Sequence, residues 1–571
     1  MSDAPPKDYD VLIIGAGING AGLFRDLCAQ GVRCLIVDKG DFGSGTSAAP
    51  SRLIHGGLKY LETGEFRLVA EATYERNLLL RNAAHLVRPL PTLIPIQSWT
   101  KGIGAAVRTF FGSTTAPRSR GALLIKIGLR LYDFYGSRAR RMPRHRMLSR
   151  TQALAEMPAL TPNIVAVGTY YDAAISAPER LVLELVQDGL AAEPTSTAMN
   201  WTSVDGQCEG LVDITGPDGN HHHVRPKIVV NAAGPWIDGV NAVLGLETTL
   251  IGGTKGSHIV LDHPELLRQL NGRMIYFEGD DGRILLVFPY LDKALVGSTD
   301  IPASDPDAVV CEADEISYFM DSLSTLLPGL TFDRRQIVYT YSGLRPLPKS
   351  IGLAPGLISR DHSAPIHAVA AGRPFPVMSL VGGKWTTFRA FAEQAANVVL
   401  AQLDQGRSVS TSELPIGGGR GMPEGDAARA AWIEEVTAAS GALQDRVAVL
   451  LDRYGTTARA VAQHEGASSA ILQGAAETSG AEIDWISRHE SVHHLEDIVL
   501  RRTQLAITGH LSYVGLNGIC SIAAKALGWD KARANMELER VRNILEKRHG
   551  VHLWSRDSVR PAAMPSGNGE K

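Results

Sequence analysis

The run Gly15-Ala-Gly-Ile-Asn-Gly20 constrains this chain more than any other stretch. It follows a short apolar run of β-formers, Asp10–Ile14, and precedes Ala21–Ala29, which suits a helix. A second apolar run, Cys34–Val37, ends at Asp38, eighteen positions after Gly20. The order predicts a strand–helix–strand unit, the nucleus of an α/β fold with a parallel sheet. Gly15 allows a tight turn, Gly17 lets the backbone approach a pyrophosphate, and Gly20 lets the helix pack closely on the strand. Asn19 lies in the same turn, where the helix start offers free N–H groups to phosphates. Asp38 is placed to accept hydrogen bonds from ribose hydroxyls. The fingerprint alone does not separate NAD from FAD.

Strand and helix patterns interleave up to about residue 404. Strands are expected at Lys227–Asn231, Ser257–Leu261, Leu285–Phe288 and Ala294–Val296, and helices at Glu65–Asn82, Ala177–Leu190 and Arg389–Leu403. From about residue 424 alanine, glutamate and arginine at helical spacing dominate. Asp426–Thr437, Ala442–Tyr454, Thr456–His464, Leu495–Ala506 and Lys531–Lys547 read as helices of a separate domain, with Gly417–Gly421 as the linker. The tail after Arg556 is rich in Pro, Ser, Gly and charge, a composition expected to be disordered. Net charge is −3, so no global basic field attracts nucleic acid. Five scattered cysteines without a CxxC spacing favour a reducing compartment over a disulfide framework. The polar, Pro-rich start lacks a signal-peptide core, and no apolar run approaches the roughly 20 residues needed to span a bilayer.

Ser44 to Leu61, followed by Glu65 to Val69, resembles the flavin-proximal segment of FAD-dependent glycerol-3-phosphate dehydrogenases. The likeness continues through Asn231 to Trp236, Lys255 to Val260, Gly297 to Asp300, Tyr341 to Pro346, Ile358 to Asp361 and Gly382 to Thr387. Glu496 to Thr503 is similar to the family's C-terminal cap. In all, residues 9 to 510 match in collinear order. The resemblance implies an FAD-binding Rossmann-like domain over 9–404, with interleaved α+β substrate-binding segments mainly at 85–150 and 245–340. An all-α domain at 424–556 and a disordered tail at 557–571 follow.

The resemblance also implies site residues. Thr46, Ser47, Leu53, His55, Gly57, Ala233, Gly234, Gly383, Lys384, Trp385 and Thr386 join the glycine turn and Asp38 around a non-covalent FAD. The helix after Gly382-Gly383 could stabilise negative charge on reduced flavin. Lys59, Tyr60, Arg345, Arg360 and Lys384 fall on the substrate, where fixed cations suit a phosphate ester. His258 is the candidate base for the carbinol proton, since an imidazole titrates near neutral pH, and Arg345 would stabilise alkoxide charge. No metal site is expected. Two departures bear on the polyol: Lys59 stands where the best-known members carry arginine, and Ala48-Ala-Pro50 replaces a serine-rich run. The implied reaction is oxidation of sn-glycerol 3-phosphate to dihydroxyacetone phosphate with electrons passed to membrane quinone. A longer polyol phosphate such as erythritol phosphate is the alternative, and an amine or amino-acid oxidase of the same fold is the more distant one.

Between Lys101 and Arg146 eleven Lys and Arg face one acidic residue, Asp133, with Phe110, Phe111, Leu131 and Phe134 interleaved. A basic amphipathic stretch of this kind suits an anionic membrane surface. The expected setting is therefore cytoplasmic, attached peripherally to the inner face of the cell membrane, with a homodimer as a further possibility.

Overall fold

The computed structural model describes residues 7–61, 65–99, 122–136, 142–279, 281–349, 361–467 and 470–553. The tail, Arg360 and Arg138, Arg140 and Arg141 lie outside the described residues, as does the first part of the basic stretch. So do the side chains of Lys59 and Tyr60, whose backbone forms the helical turn Leu58–Leu61.

Lys7–Ile14, Ile18–Ala29 and Cys34–Val37 form the expected strand–helix–strand unit. Both faces of the first strand are buried, so alternate side chains serve different cores. Val11 and Ile13 pack with Leu23, Phe24 and Leu27 of the helix and with Val182 and Phe388 of two further helices, Pro178–Ala192 and Phe388–Gln402. Leu12 and Ile14 join Leu35, Val212, Val229 and Phe375 on the other face. Among the described residues this sheet has eight strands, and Lys7–Ile14 runs parallel to both Cys34–Val37 and His221–Asn231.

A second sheet of ten strands is assembled from distant parts of the chain: Leu53–Ile54, Val87–Ile96, Arg146–Ser149, Ala166–Ile175 and strands from Ile251 to Pro348. Its long antiparallel pair, Ile251–Leu261 with Ile337–Pro348, sets His258 opposite Tyr341 and Thr254 opposite Arg345. On its other side His258 faces Gly297. This register positions the substrate-side candidates.

The helical region does not keep its core to itself. Ile483, Ile486, Leu495, Ile498, Leu516 and Ile519 share one buried cluster with Leu286, Phe288, Leu295 and Tyr339 of the second sheet. Two local expectations differ from the structure. Leu495–Ala506 is not one α-helix: a wide π-type turn spans Asp497–Arg502, and Thr503 leaves in extended geometry. Its start is tied down because Asp497 accepts the backbone N–H groups of His493 and His494. Gly417–Gly421 is not a free tether either. Gly418 and Gly419 are buried, and a β-carbon there would lie 1.8 Å from the Tyr454 carbonyl oxygen and 2.2 Å from that of Asn82.

A buried ion network joins the two regions. Asp41, fully buried, accepts from Arg501 Nε at 2.5 Å and from both terminal nitrogens of Arg502 at 2.6 and 2.8 Å. Arg180 makes a bidentate pair with Glu490 at 2.9 and 2.8 Å. The guanidiniums hold the Asp41 carboxyl well below the usual carboxylate range against its burial. Removing one member of a buried pair strands the other's charge, at a cost of about 3–5 kcal/mol. Asp41→Ala should therefore lower the denaturant midpoint of unfolding by that equivalent. An unchanged midpoint would show that the network is not holding the regions together.

Candidate active site

The glycine turn fits a dinucleotide on its own geometry. Gly15 has φ +103°, and a β-carbon there would lie 2.7 Å from the Ala232 carbonyl oxygen, so the two strand ends can meet only with glycine in place. A β-carbon on Gly20 would fall 1.9 Å from the Gly15 carbonyl oxygen. Ser47 Oγ accepts the N–H of Ile18 at 2.9 Å, which places this hydroxyl at the start of the first helix. The Asp38 carboxylate accepts from Ala16 N at 2.7 Å and Gly40 N at 2.9 Å. Burial nonetheless pushes its carboxyl up to about 6. Asn19 donates to the Gly382 carbonyl at 3.3 Å, while its Oδ1 is buried with no partner among the described residues. An orphaned acceptor beside a helix N-terminus, in a cradle that β-carbons would fill, is what a bound FAD would complete.

The remaining cofactor candidates gather around this turn. Trp385 Nε1 donates to the Ser47 carbonyl at 3.3 Å, and the His55 N–H donates to Thr386 Oγ1 at 3.2 Å. Gly382 and Gly383 both have positive φ and lead into Trp385–Thr387 and the helix Phe388–Gln402. Lys384 is half-buried on that loop. Ala233 N donates to Asn231 Oδ1, which opens the turn Gly234–Trp236. Leu53 turns its side chain into the buried cluster that also holds Tyr290 and Tyr341, and its backbone pairs with Ala174 in the second sheet. The turn containing Gly57 is held from below: Gly56 N donates to Tyr132 Oη at 2.9 Å and Asp172 Oδ1 at 3.0 Å, and Arg76 bonds both of those groups.

On the substrate side His258 is 2% exposed and its ring stacks on Tyr341, with centroids 4.7 Å apart and planes 10° apart. A β-carbon at Gly297 would come within 2.1 Å of His258 Cδ2, so the facing strand must carry glycine there. Ser51 Oγ lies 2.8 Å from Nε2. Burial, then the charges of Arg345 and Arg52, hold the imidazole well below its ordinary value, so it is neutral at pH 7. Arg345 crosses over Gly256, where a β-carbon would lie 2.1 Å from its guanidinium. It donates to Asp300 Oδ1 at 3.2 Å, Ser298 Oγ at 3.0 Å and the Thr299 carbonyl at 3.1 Å. Thr46 Oγ1 donates to the Leu344 carbonyl at 2.7 Å, which sets the cofactor segment against the residue before Arg345. Behind this turn Lys255 pairs with Glu312 and Glu315, and Thr299 donates to Glu315.

The structure thus brings His258 and Arg345 together and seats Thr46 and Ser47 between them and the glycine turn. Ser51, Tyr341, Gly297, Asp300 and the Arg76–Asp172 pair are parts of the site that sequence reading missed. Ser51, Gly297, Asp300 and Tyr341 were within reach, since each lies inside a matched segment. A separate open cleft of about 650 Å³, lined by His222, His493, Trp529 and Arg533 among others, includes none of these residues.

Comparison with known proteins agrees with this geometry. The family described as FAD dependent oxidoreductase matches residues 10–389, and the C-terminal domain of alpha-glycerophosphate oxidase matches residues 409–534. The glycerol-3-phosphate dehydrogenase of Synechocystis sp. is 32% identical, over 94% of this chain and 96% of its own length. The D-erythritol 1-phosphate dehydrogenase of Brucella abortus is 29% identical, over 88% of this chain and 95% of its own. The crystal structure of the glycerol-3-phosphate dehydrogenase from Bacillus halodurans complexed with FAD superposes with a TM-score of 0.71, covering 95% of both chains at 22% identity, a likeness of fold. The chain is therefore an FAD-dependent oxidoreductase and belongs to the FAD-dependent glycerol-3-phosphate dehydrogenase family.

Proposed function

We propose that the enzyme oxidises the C2 hydroxyl of sn-glycerol 3-phosphate to give dihydroxyacetone phosphate, with membrane quinone as the eventual electron acceptor. The observation that carries this reading is a buried neutral imidazole, His258, beside the fixed guanidinium of Arg345 on adjacent strands. FAD, held by the glycine turn, Asp38, Ser47 and the Gly383–Thr386 loop, supplies a hydride acceptor. His258 receives the carbinol proton, and Arg345 stabilises the charge that develops on oxygen. Arg360 with Lys384 holds the phosphate, and Lys59 and Tyr60 wall the polyol. A four-carbon polyol phosphate is the second reading. It is supported by lysine rather than arginine at position 59 and by the erythritol-phosphate-named relative.

A substrate panel read by anaerobic bleaching of the flavin tests this directly. Glycerol 3-phosphate should bleach it, whereas glycerol and amino acids should not. His258→Ala should slow bleaching at saturating substrate by about 10²–10⁴-fold. The sign of the His258 shift also fixes a pH profile. Its neutral form persists as pH falls through 6.5, so the wild-type bleaching rate should keep its value until well below that pH. Loss of rate with a midpoint at or above pH 6.5 would assign the base elsewhere.

FAD binding should depend on pH through Asp38. Its ionised form is the better acceptor for ribose hydroxyls, and it takes up a proton as pH falls through about 6. Apo-protein titrated with FAD should bind more weakly below that pH. Asp38→Asn should bind less tightly at pH 8 by roughly ten- to a hundred-fold, the worth of a charge-assisted hydrogen bond, and lose the pH dependence. Acid precipitation should leave the flavin in the supernatant, as a non-covalent cofactor requires.

We also infer that the helix Ala122–Tyr135 lies on an anionic membrane surface. Ile127, Leu131 and Phe134 are 48%, 37% and 70% exposed on one stripe, Trp99 is 60% exposed, and Lys126 and Arg130 stand exposed on the same helix. No helix among the described residues is long and apolar enough to cross a membrane. The protein should co-sediment with anionic vesicles and only partly release in high salt. Leu131→Glu with Phe134→Glu should abolish that binding and lower quinone reduction while sparing a soluble dye. Equal loss of both activities would point to misfolding instead.

A further inference from the structure

We propose that the proton does not pass directly from the substrate hydroxyl to His258 but is carried there by the hydroxyl of Ser51. The proposal rests on the reading of His258 as the base. His258 is almost completely enclosed: Tyr341 covers one ring face, and Gly297 lies against its Cδ2 edge. Its Nδ1 is buried and has no hydrogen-bond partner among the described residues. A substrate hydroxyl therefore has no approach to that nitrogen. Nε2 is already met by Ser51 Oγ at 2.8 Å. Ser51 itself is half-buried, less enclosed than the ring its hydroxyl meets.

The serine is also held in place. Tyr341 Oη donates to the carbonyl of Pro50 at 2.9 Å, one residue before it. Arg52, one residue after, adopts φ +54° and is fixed by a bidentate pair with Glu179 at 3.3 and 2.7 Å. Tyr341 thus braces both partners, stacking on His258 and bonding the backbone that carries Ser51. A hydroxyl fixed on both flanks at hydrogen-bond distance from a neutral imidazole is preorganised for proton transfer.

The step balances as follows. The substrate O–H bond breaks as Ser51 Oγ takes its proton, and the Ser51 O–H bond breaks as Nε2 takes that one. The C2–H electron pair leaves as hydride to the FAD the family uses, the carbonyl forms, and His258 ends protonated with the serine unchanged. The relay needs the resting tautomer with the proton on Nδ1 and a bare Nε2.

Two measurements test it. In the wild-type holoenzyme with ¹⁵N-labelled histidine, the His258 shifts should show Nδ1 protonated and Nε2 bare. A proton resting on Nε2 overturns the relay, and this readout needs no variant to fold. In anaerobic stopped-flow with glycerol 3-phosphate, Ser51→Ala should slow flavin reduction about 10- to 100-fold. Substrate Kd from the flavin spectral shift should stay within about threefold, marking a loss in the step rather than in binding. Ser51→Thr, which keeps the hydroxyl, should restore most of the rate. Rates in H₂O–D₂O mixtures should give a bowed proton inventory in the wild type and a linear one in Ser51→Ala. If Ser51→Ala reduces flavin at the wild-type rate while His258→Ala is slowed, the relay is wrong and the base assignment stands. If neither is slowed, the base assignment itself falls.

Discussion

The site depends on one short segment, Thr46–Gly57, being bonded at once to the first helix and the Trp385–Thr387 turn of the dinucleotide unit and to the second sheet. Ser47 accepts from the first helix of the dinucleotide fold, and Thr46 donates to the strand that carries Arg345. Ser51 reaches His258, His55 N meets Thr386, and Gly56 N is held by Tyr132 and Asp172. Twelve consecutive residues therefore fix the distance between a cofactor cradle in one sheet and a base in the other. Neither sheet contacts the chemistry alone. A displacement of this segment moves both halves of the site, and misplacement by about 1 Å can cost a hundredfold in rate.

The electrostatics of the substrate side follow from the same closeness. Burial lowers the basicity of His258 in the free enzyme, and the charges of Arg345 and then Arg52 add to the effect. The negative charge of a bound phosphate dianion would offset part of that field, so in the proposed reaction the imidazole gains basicity when substrate binds. The glycines at 256 and 297 make this arrangement possible, since a β-carbon at either would collide with Arg345 or His258.

Those glycines show where sequence reading stops. The turn at Gly15–Gly20 was legible because its parts lie within thirty residues and each glycine has a local task. The reason for Gly297 lies in a strand register with His258, 39 positions earlier in the chain, which no local pattern encodes. Ser51 and His258 are 207 positions apart, and Arg76 and Asp172 are 96 apart. Residue type suggested the base, but only the fold shows what touches it. Gly417–Gly421 misled in the opposite sense. A glycine run reads as a hinge, yet here it is the close approach of backbone to Tyr454 and Asn82 that excludes side chains.

The helical region binds into this scheme through burial rather than through a surface contact. Its apolar residues complete the cluster behind Tyr339 and Tyr341, and His549, at the end of the final helix, stacks on Tyr339 and bonds the Thr340 carbonyl at 2.9 Å. Tyr341, the next residue, is the ring that supports His258 and the backbone of Ser51. The Asp41 network reinforces the join with charges that cannot be rehydrated without separating the two regions. Because Asp41 is held below the usual carboxylate range, its contribution is complete at neutral pH, declines as pH falls through the ordinary carboxylate range, and is gone once acid reaches its lowered folded-state value. The His549 imidazole is pushed down to about 4 by burial, so protonating it opposes the fold as pH falls from 6.5 toward that value. Burial of neutral His549 therefore costs stability in mild acid, and Asp497, which pairs with Arg501 and whose carboxyl burial pushes up to about 6, brings the ion network into the same pH range.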